Sequence, residues 1–195
     1  MAYSVNQTSN SKLPLVPGIQ TLMTYDGYRK FFGDCNDSSD IFSHQAALFN
    51  KCQANQWINT LKSSGFYDWI KPLVEMRDKF SQRREFTKDN CVTLMQFYSL
   101  LENVFRNTLL YPYISAYRTI NKDCGRYRSF IEPHETKMPF QELQFNSTGP
   151  NLLTYTEIDP QRTIIYALTC SIFYHHDLAK LQNHYVESTR RQYSN

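Results

Sequence analysis

Residues 90–121 read NCVTLMQFYSLLENVFRNTLLYPYISAYRTIN. Leu94, Phe97, Leu101, Val104, Phe105, Thr108 and Leu109 recur at spacings of three and four, a broad apolar stripe along one side of a helix from about Asn90 to Leu110. Leu100, Asn103, Asn107 and Tyr111 follow one flank of that stripe. Pro112 ends the helix or starts a short second one towards Ile120, because proline drives the residue before it out of the helical conformation. Tyr111, Tyr113 and Tyr117 crowd this corner, with Arg118 and Asn121 just beyond.

The segments around this helix carry helical patterns too. A short helix is expected from Ile19 to Phe32, followed by a loop over GDCNDSSD, residues 33–40. Asp40 is the expected cap of a single helix carrying Ile41, Ala47, Leu48, Cys52, Ile58 and Leu61, stopped at Ser63, Ser64 and Gly65. Phe66, Trp69, Ile70, Leu73, Val74 and Phe80 form another stripe, with Pro72 marking a kink or a fresh start. Residues 81–89 read as a charged connection. After Gly125 the segment RYRSFIEP alternates and is expected to be a short strand, and residues 132–158 to be irregular, with short helical or extended pieces. Asp159 then caps a last helix with Pro160 in its first position and Ile164, Ile165, Leu168, Ile172 and Leu178 as its stripe. The expected fold class is mainly α, α+β at most, with a small strand element after residue 125. One domain over 18–186 is expected between a loose tail at 1–17 and a polar tail at 187–195.

Composition excludes several function classes. The 195 residues carry a net charge of +3, too mild to point to nucleic acid or an anionic membrane. No apolar run reaches the length of a membrane span, and the start has no signal-peptide pattern. Six glycines, none paired as G-x-G, leave no phosphate-loop fingerprint. The five cysteines (Cys35, Cys52, Cys91, Cys124, Cys170) lack C-x-x-C spacing and read as reduced thiols inside the cell rather than a disulfide frame or zinc site. The sequons at Asn6, Asn36 and Asn146 are read as chance. The basic run at 77–88 is broken by Asp78 and Glu85 and reads as a solvated connection.

Two constellations offer residues suited to chemistry. His175, His176, Asp177 and His184 are the plainest metal candidates, but His176 and His184 stand two turns apart with Lys180 between them, and a metal helix offers ligands at i and i+4. A polar flank near a helix end is the plainer reading. Cys124, beside Gly125 and near His134, is the best nucleophile pair to be assembled, yet its spacing matches no catalytic signature. The residues alone therefore describe a helical binding module, with no cofactor and no metal expected.

The segment LLENVFRNTLLYPYISAYRTINKDCG, residues 100–125, resembles the PUB domain, and in particular the divergent PUB domains of the spermatogenesis-associated protein 2 and tamozhennic group. The family pattern is an Asn five residues before a Pro, followed five residues on by an aromatic-Arg-x-Ile run; here these are Asn107, Pro112, Tyr117, Arg118 and Ile120. Similarity covers about residues 94–131, with Leu101-Glu102, Leu110 to Pro112 and Gly125 shared by the closer relatives. The resemblance implies a non-catalytic adaptor that binds short peptides of ubiquitin-system proteins. Expected partners are a cylindromatosis-type deubiquitinase or a peptide motif, with a homodimer as a further possibility, in the cytoplasm and also the nucleus. It carries the pocket Asn to Asn107 and the aromatic-Arg pair to Tyr117 and Arg118. Where the closer relatives use a Tyr against the deubiquitinase, this chain has Asp123, a departure that weighs against that particular partner.

An Asn offers both donor and acceptor to a peptide backbone. Tyr111 and Tyr113 read equally well as rim aromatics or as core rings with a wet tip. Arg118 can fork onto a carboxylate or bond helix-end carbonyls, and Lys122 adds charge at the same edge. The candidate partner-binding residues are thus Asn107, Tyr111, Tyr113, Tyr117, Arg118, Asn121, Lys122 and Asp123. The competing classes are a helical scaffold or dimerisation domain that has lost the pocket, and an enzyme using Cys124 or the histidines of 175–184.

Overall fold

The computed structural model describes residues 17–35, 37–81 and 87–193. Seven α-helices run in the order α1 (Ile19–Leu22), α2 (Tyr25–Phe32), α3 (Ser38–Lys51), α4 (Ala54–Ser63), α5 (Tyr67–Ser81), α6 (Lys88–Leu110) and α7 (Pro160–Tyr193). Between α6 and α7 lie three short strands, β1 (Thr119–Asn121), β2 (Phe145–Gly149) and β3 (Leu152–Tyr155). The fold is mainly α with a small strand element, as the patterning predicts.

The centre is the first half of α7. Thr163 to Phe173 are buried without interruption, so this stretch is enclosed on every side, as a helix apolar all round must be. Its hydroxyls are satisfied internally: Thr169 Oγ1 donates to the Ile165 carbonyl at 2.7 Å and accepts from Trp57 Nε1 at 2.9 Å, and Ser171 Oγ donates to the Ala167 carbonyl at 3.0 Å. α6 lies antiparallel to α7, with the Phe105 and Tyr166 ring centroids 5.3 Å apart and, further along, Cys91 Sγ donating to the Asp177 carbonyl at 3.2 Å. Asp159 caps α7 as expected, its Oδ1 accepting from the Gln161 amide at 2.9 Å.

Several boundaries differ from the sequence reading. The expected Ile19–Phe32 helix breaks at Met23–Thr24, where Thr24 Oγ1 accepts from the Gly27 amide at 3.2 Å and caps α2. A Cβ on Gly27 would lie 2.0 Å from the Thr21 carbonyl oxygen, so this crossing admits only glycine. The single helix expected after Asp40 is two: Asp37 is the cap, accepting from Ser39 and Asp40 amides at 2.7 and 2.9 Å, and Cys52 leaves the helical region at φ −142, ψ 102. That break lets Cys52, Ala54 and Trp57 all reach the core. Gly65, at φ 77, ends α4 where the stop was expected. α5 runs through Pro72, which forgoes one internal hydrogen bond. Lys88 and Asp89, expected in the charged connection, open α6 behind the Thr87 cap.

The strand expected over RYRSFIEP is instead a π-turn at Tyr127–Ile131 and a 3-10 turn at Glu132–Lys137. Tyr127 and Ile131 are both buried four residues apart, a helical spacing that overrides the apparent alternation. The strands form an antiparallel sheet in the order β1-β3-β2, with Ile120 opposite Leu153 and Phe145 opposite Tyr155, all four buried. α7 continues to Tyr193, through a segment read as tail from its polarity, and residues 182–187 of it are exposed. The expected N-terminal tail lies almost wholly outside the described residues. Among those described, no helix is long and apolar enough to cross a membrane.

Candidate functional site

The last turns of α6 carry a polar ladder. Arg106 Nε donates to Glu102 Oε1 at 3.0 Å, its Nη1 to Asn107 Oδ1 at 3.1 Å and its Nη2 to Asn103 Oδ1 at 2.9 Å. Asn107 Nδ2 also donates to Asn103 Oδ1 at 3.1 Å. Both the acid and the base are buried, at 4% and 9% exposure. Burial pushes the Glu102 carboxyl up, against the pull of Arg106 and of a Gln45 hydrogen bond. Asn107 is thus held by its own helix.

The chain turns at Pro112 as the sequence predicts. The Tyr111 amide still closes onto the Asn107 carbonyl at 2.8 Å, and a 3-10 turn at Ser115–Arg118 leads into β1. Tyr111 and Tyr117 pack edge to face, their centroids 5.5 Å apart. Tyr113 is 86% exposed, and Tyr111, Ile114 and Tyr117 are each exposed around it. Tyr111 and Tyr113 are therefore surface rings rather than core rings.

Beside this corner is a cavity of about 360 Å³, walled by Tyr25, Thr108, Leu109, Pro112 and Ile158 with Arg118 at its edge. Tyr25 fixes one wall by donating to the Leu109 carbonyl at 3.0 Å. Thr108 Oγ1 is buried there without a hydrogen-bond partner, Ile158 is 87% exposed, and Arg118 makes no hydrogen bond or ion pair among the described residues. Glu157, on the same cavity, is committed elsewhere: it accepts from Arg162 Nη1 at 2.8 Å and from the Ile158 and Asp159 amides at 2.9 and 3.1 Å. Burial acts to raise its carboxyl, but these bonds outweigh it and hold the group below the usual range. Among the described residues, the one unspent charge at the cavity is therefore the Arg118 guanidinium.

The expected residues fall into three groups. Tyr111, Tyr113, Tyr117 and Arg118 come together at the corner. Asn107 lines neither this cavity nor the one between α3, α6 and α7 that its ladder borders. Asn121, Lys122 and Asp123 tie the end of β1 to its neighbours: Asn121 Oδ1 accepts from the Asp123 amide at 2.8 Å, Lys122 pairs with Glu135, and Asp123 pairs with Arg128 and accepts from Asn151 Nδ2 at 2.9 Å. Asp123 is thus a linchpin of this bend. Tyr25, Thr108 and Ile158 were not foreseen as site residues, and the spacing of 84 between Tyr25 and Leu109 leaves no local signal for them.

Histidines of the other constellations pack against aromatic rings. His134 packs on Phe80 at 5.5 Å, and His175 lies 4.8 Å from Phe42. Asp177 Oδ1 accepts from Arg77 Nη2 at 3.4 Å, and no group of three potential ligands gathers among the described residues. Comparisons of the chain with family models, curated proteins and solved structures return no match.

Proposed function

We propose that this chain is a non-catalytic adaptor domain that takes a short peptide of a ubiquitin-system protein at the Pro112 corner. The observation that carries the reading is the cavity there, with apolar walls and an unspent Arg118 guanidinium, on the same corner as three exposed tyrosines that do not themselves line it. Exposed aromatics with one arginine are the composition of peptide-binding surfaces, and a guanidinium beside an apolar pocket suits a segment that pairs a bulky side chain with a carboxylate. The motif resemblance through Asn107, Pro112, Tyr117 and Arg118 supplies the partner class. In this reading Asn107 positions the corner through the ladder and the helix end, while Arg118 and Tyr113 touch the peptide.

The test is affinity capture from cell extract with the wild type, Tyr113→Ser and Arg118→Ala, read by mass spectrometry. Both side chains reach solvent, so both variants keep the wild-type melting temperature. Ubiquitin-system proteins captured by the wild type and lost, by roughly tenfold or more, from both variants support the reading. The same proteins retained by both variants refute it.

A further inference from the structure

A second cavity, also about 360 Å³, opens between α3, α6 and α7 on another flank of α6. Its walls are Ile41 and Phe42 of α3, Tyr98 of α6 and Tyr174 of α7; Glu102, Arg106 and Arg126 bring the charge. We propose that this cavity binds a small anionic ligand with a flat apolar body, the anion at Arg106 and Arg126 and the body between the aromatic walls.

Charge comes first. Two guanidinium groups face the cavity against one carboxylate, so its lining is positive by one. Glu102 Oε1 is already bound to Arg106 Nε, and Asn103 and Asn107 contribute only neutral oxygens to that guanidinium. Three of its five N–H groups are accounted for by these bonds. Arg126 is exposed at the rim and held by a long bond of 3.4 Å to Ser99 Oγ, a weak tie that an anion readily outcompetes.

The second observation is the ion pair itself. Glu102 and Arg106, 4% and 9% exposed, both line this cavity, and a buried ion pair rarely repays its desolvation in stability alone. Such a pair is a feature of a polar site built for an occupant rather than of an optimised core. The volume lies at the small end of ligand sites, about 300–1,000 Å³, which limits the occupant to a compact molecule. Phe42, 45% exposed, is the wall nearest solvent, and its other neighbour is the His175 ring at 4.8 Å. The site is separate from the Pro112 cavity and does not rest on the adaptor reading.

The experiment titrates isotope-labelled full chain with 3-phenylpropionate and with phenyl phosphate, using 3-phenylpropionamide as the neutral isostere. Both anions are expected to shift the backbone amides of Gln45, Ser99, Asn103 and Ser171, and to bind roughly tenfold or more tighter than the amide. The tighter of the two identifies a carboxylate or a phosphate as the head group. Arg126→Gln, at an exposed position, should abolish the preference for the anions with melting unchanged, and Phe42→Ala should weaken all three probes. Absence of shifts at these four amides up to saturating probe, equal binding of the neutral amide, or an Arg126→Gln variant that keeps the preference would each overturn the proposal.

Discussion

Replacing Glu102 by Leu removes the one carboxylate that neutralises Arg106 in a site where the pair is 4% and 9% exposed. The guanidinium keeps its bonds to Asn103 and Asn107 at 2.9 and 3.1 Å, but two amide oxygens do not carry a countercharge. Breaking a buried pair from one side costs about 3–5 kcal/mol. Arg106 borders a cavity that water can enter, so the lower end, about 3 kcal/mol, is expected. For a chain of this size that lowers the melting temperature by roughly 6–12 °C. Removing both charges together, as Glu102→Leu with Arg106→Met, should recover most of the loss or exceed the wild type, because two apolar side chains of similar volume carry no desolvation cost. Urea unfolding of the wild type, both single variants and the double variant closes the cycle. Losses that simply add in the double variant would refute the reasoning, since they would mean that each side chain acts by packing and the pair has no coupling.

Other outcomes follow from single contacts. Gly27→Ala should cost about 1–3 kcal/mol in urea unfolding, because the new methyl meets the Thr21 carbonyl at 2.0 Å and the α1–α2 crossing must open; a change below 0.5 kcal/mol would show that the crossing yields freely. Thr108→Val should raise stability by about 1 kcal/mol by deleting a buried hydroxyl that has no partner; a loss of that size instead would show that the hydroxyl is satisfied. Burial among Phe42, Phe49 and Tyr174 pushes His175 down to about 4. The unfolded chain therefore binds an extra proton between about pH 4 and 6.5, and the stability held above 6.5 is lost as pH falls through that window. His176, lowered to about 4 by burial and then by Arg77 and Lys180, acts in the same direction, while Asp177, raised by burial, acts against it. His175→Phe should flatten the pH dependence of unfolding by up to about 1.4 kcal/mol per pH unit in that window, and an unchanged slope would place the imidazole in water.

Much of this was legible in the residues because it is written in near neighbours. The stripe from Leu94 to Leu109 made α6 visible, and Asp159-Pro160 marked the start of α7 to the residue. The Pro112 corner and its tyrosines were equally plain. Where local signals competed, the packing chose between them. Asp37 and Asp40 are both good caps, and Asp37 is the one that accepts from the first-turn amides, while the break at Cys52 lets Cys52 and Trp57 both reach the core. RYRSFIEP satisfies two periodicities, and the burial of Tyr127 with Ile131 selected the helical one.

The candidate sites divide along the same line. By itself the sequence determined that a mainly helical domain would carry an aromatic corner with Arg118 at the end of its longest foreseeable stripe. Periodicity, capping and proline act over four residues or fewer, so they need no fold to be read. Only the tertiary structure decided that Arg118 stands beside an apolar cavity and that Glu102 is buried with its partner. Those outcomes depend on groups brought in from far along the chain: Tyr25 reaching Leu109 across 84 residues, and Trp57 reaching Thr169 across 112. A cavity is the space such distant elements fail to fill, and a lone hydroxyl is one that none of them reaches, so neither has a local pattern in the sequence.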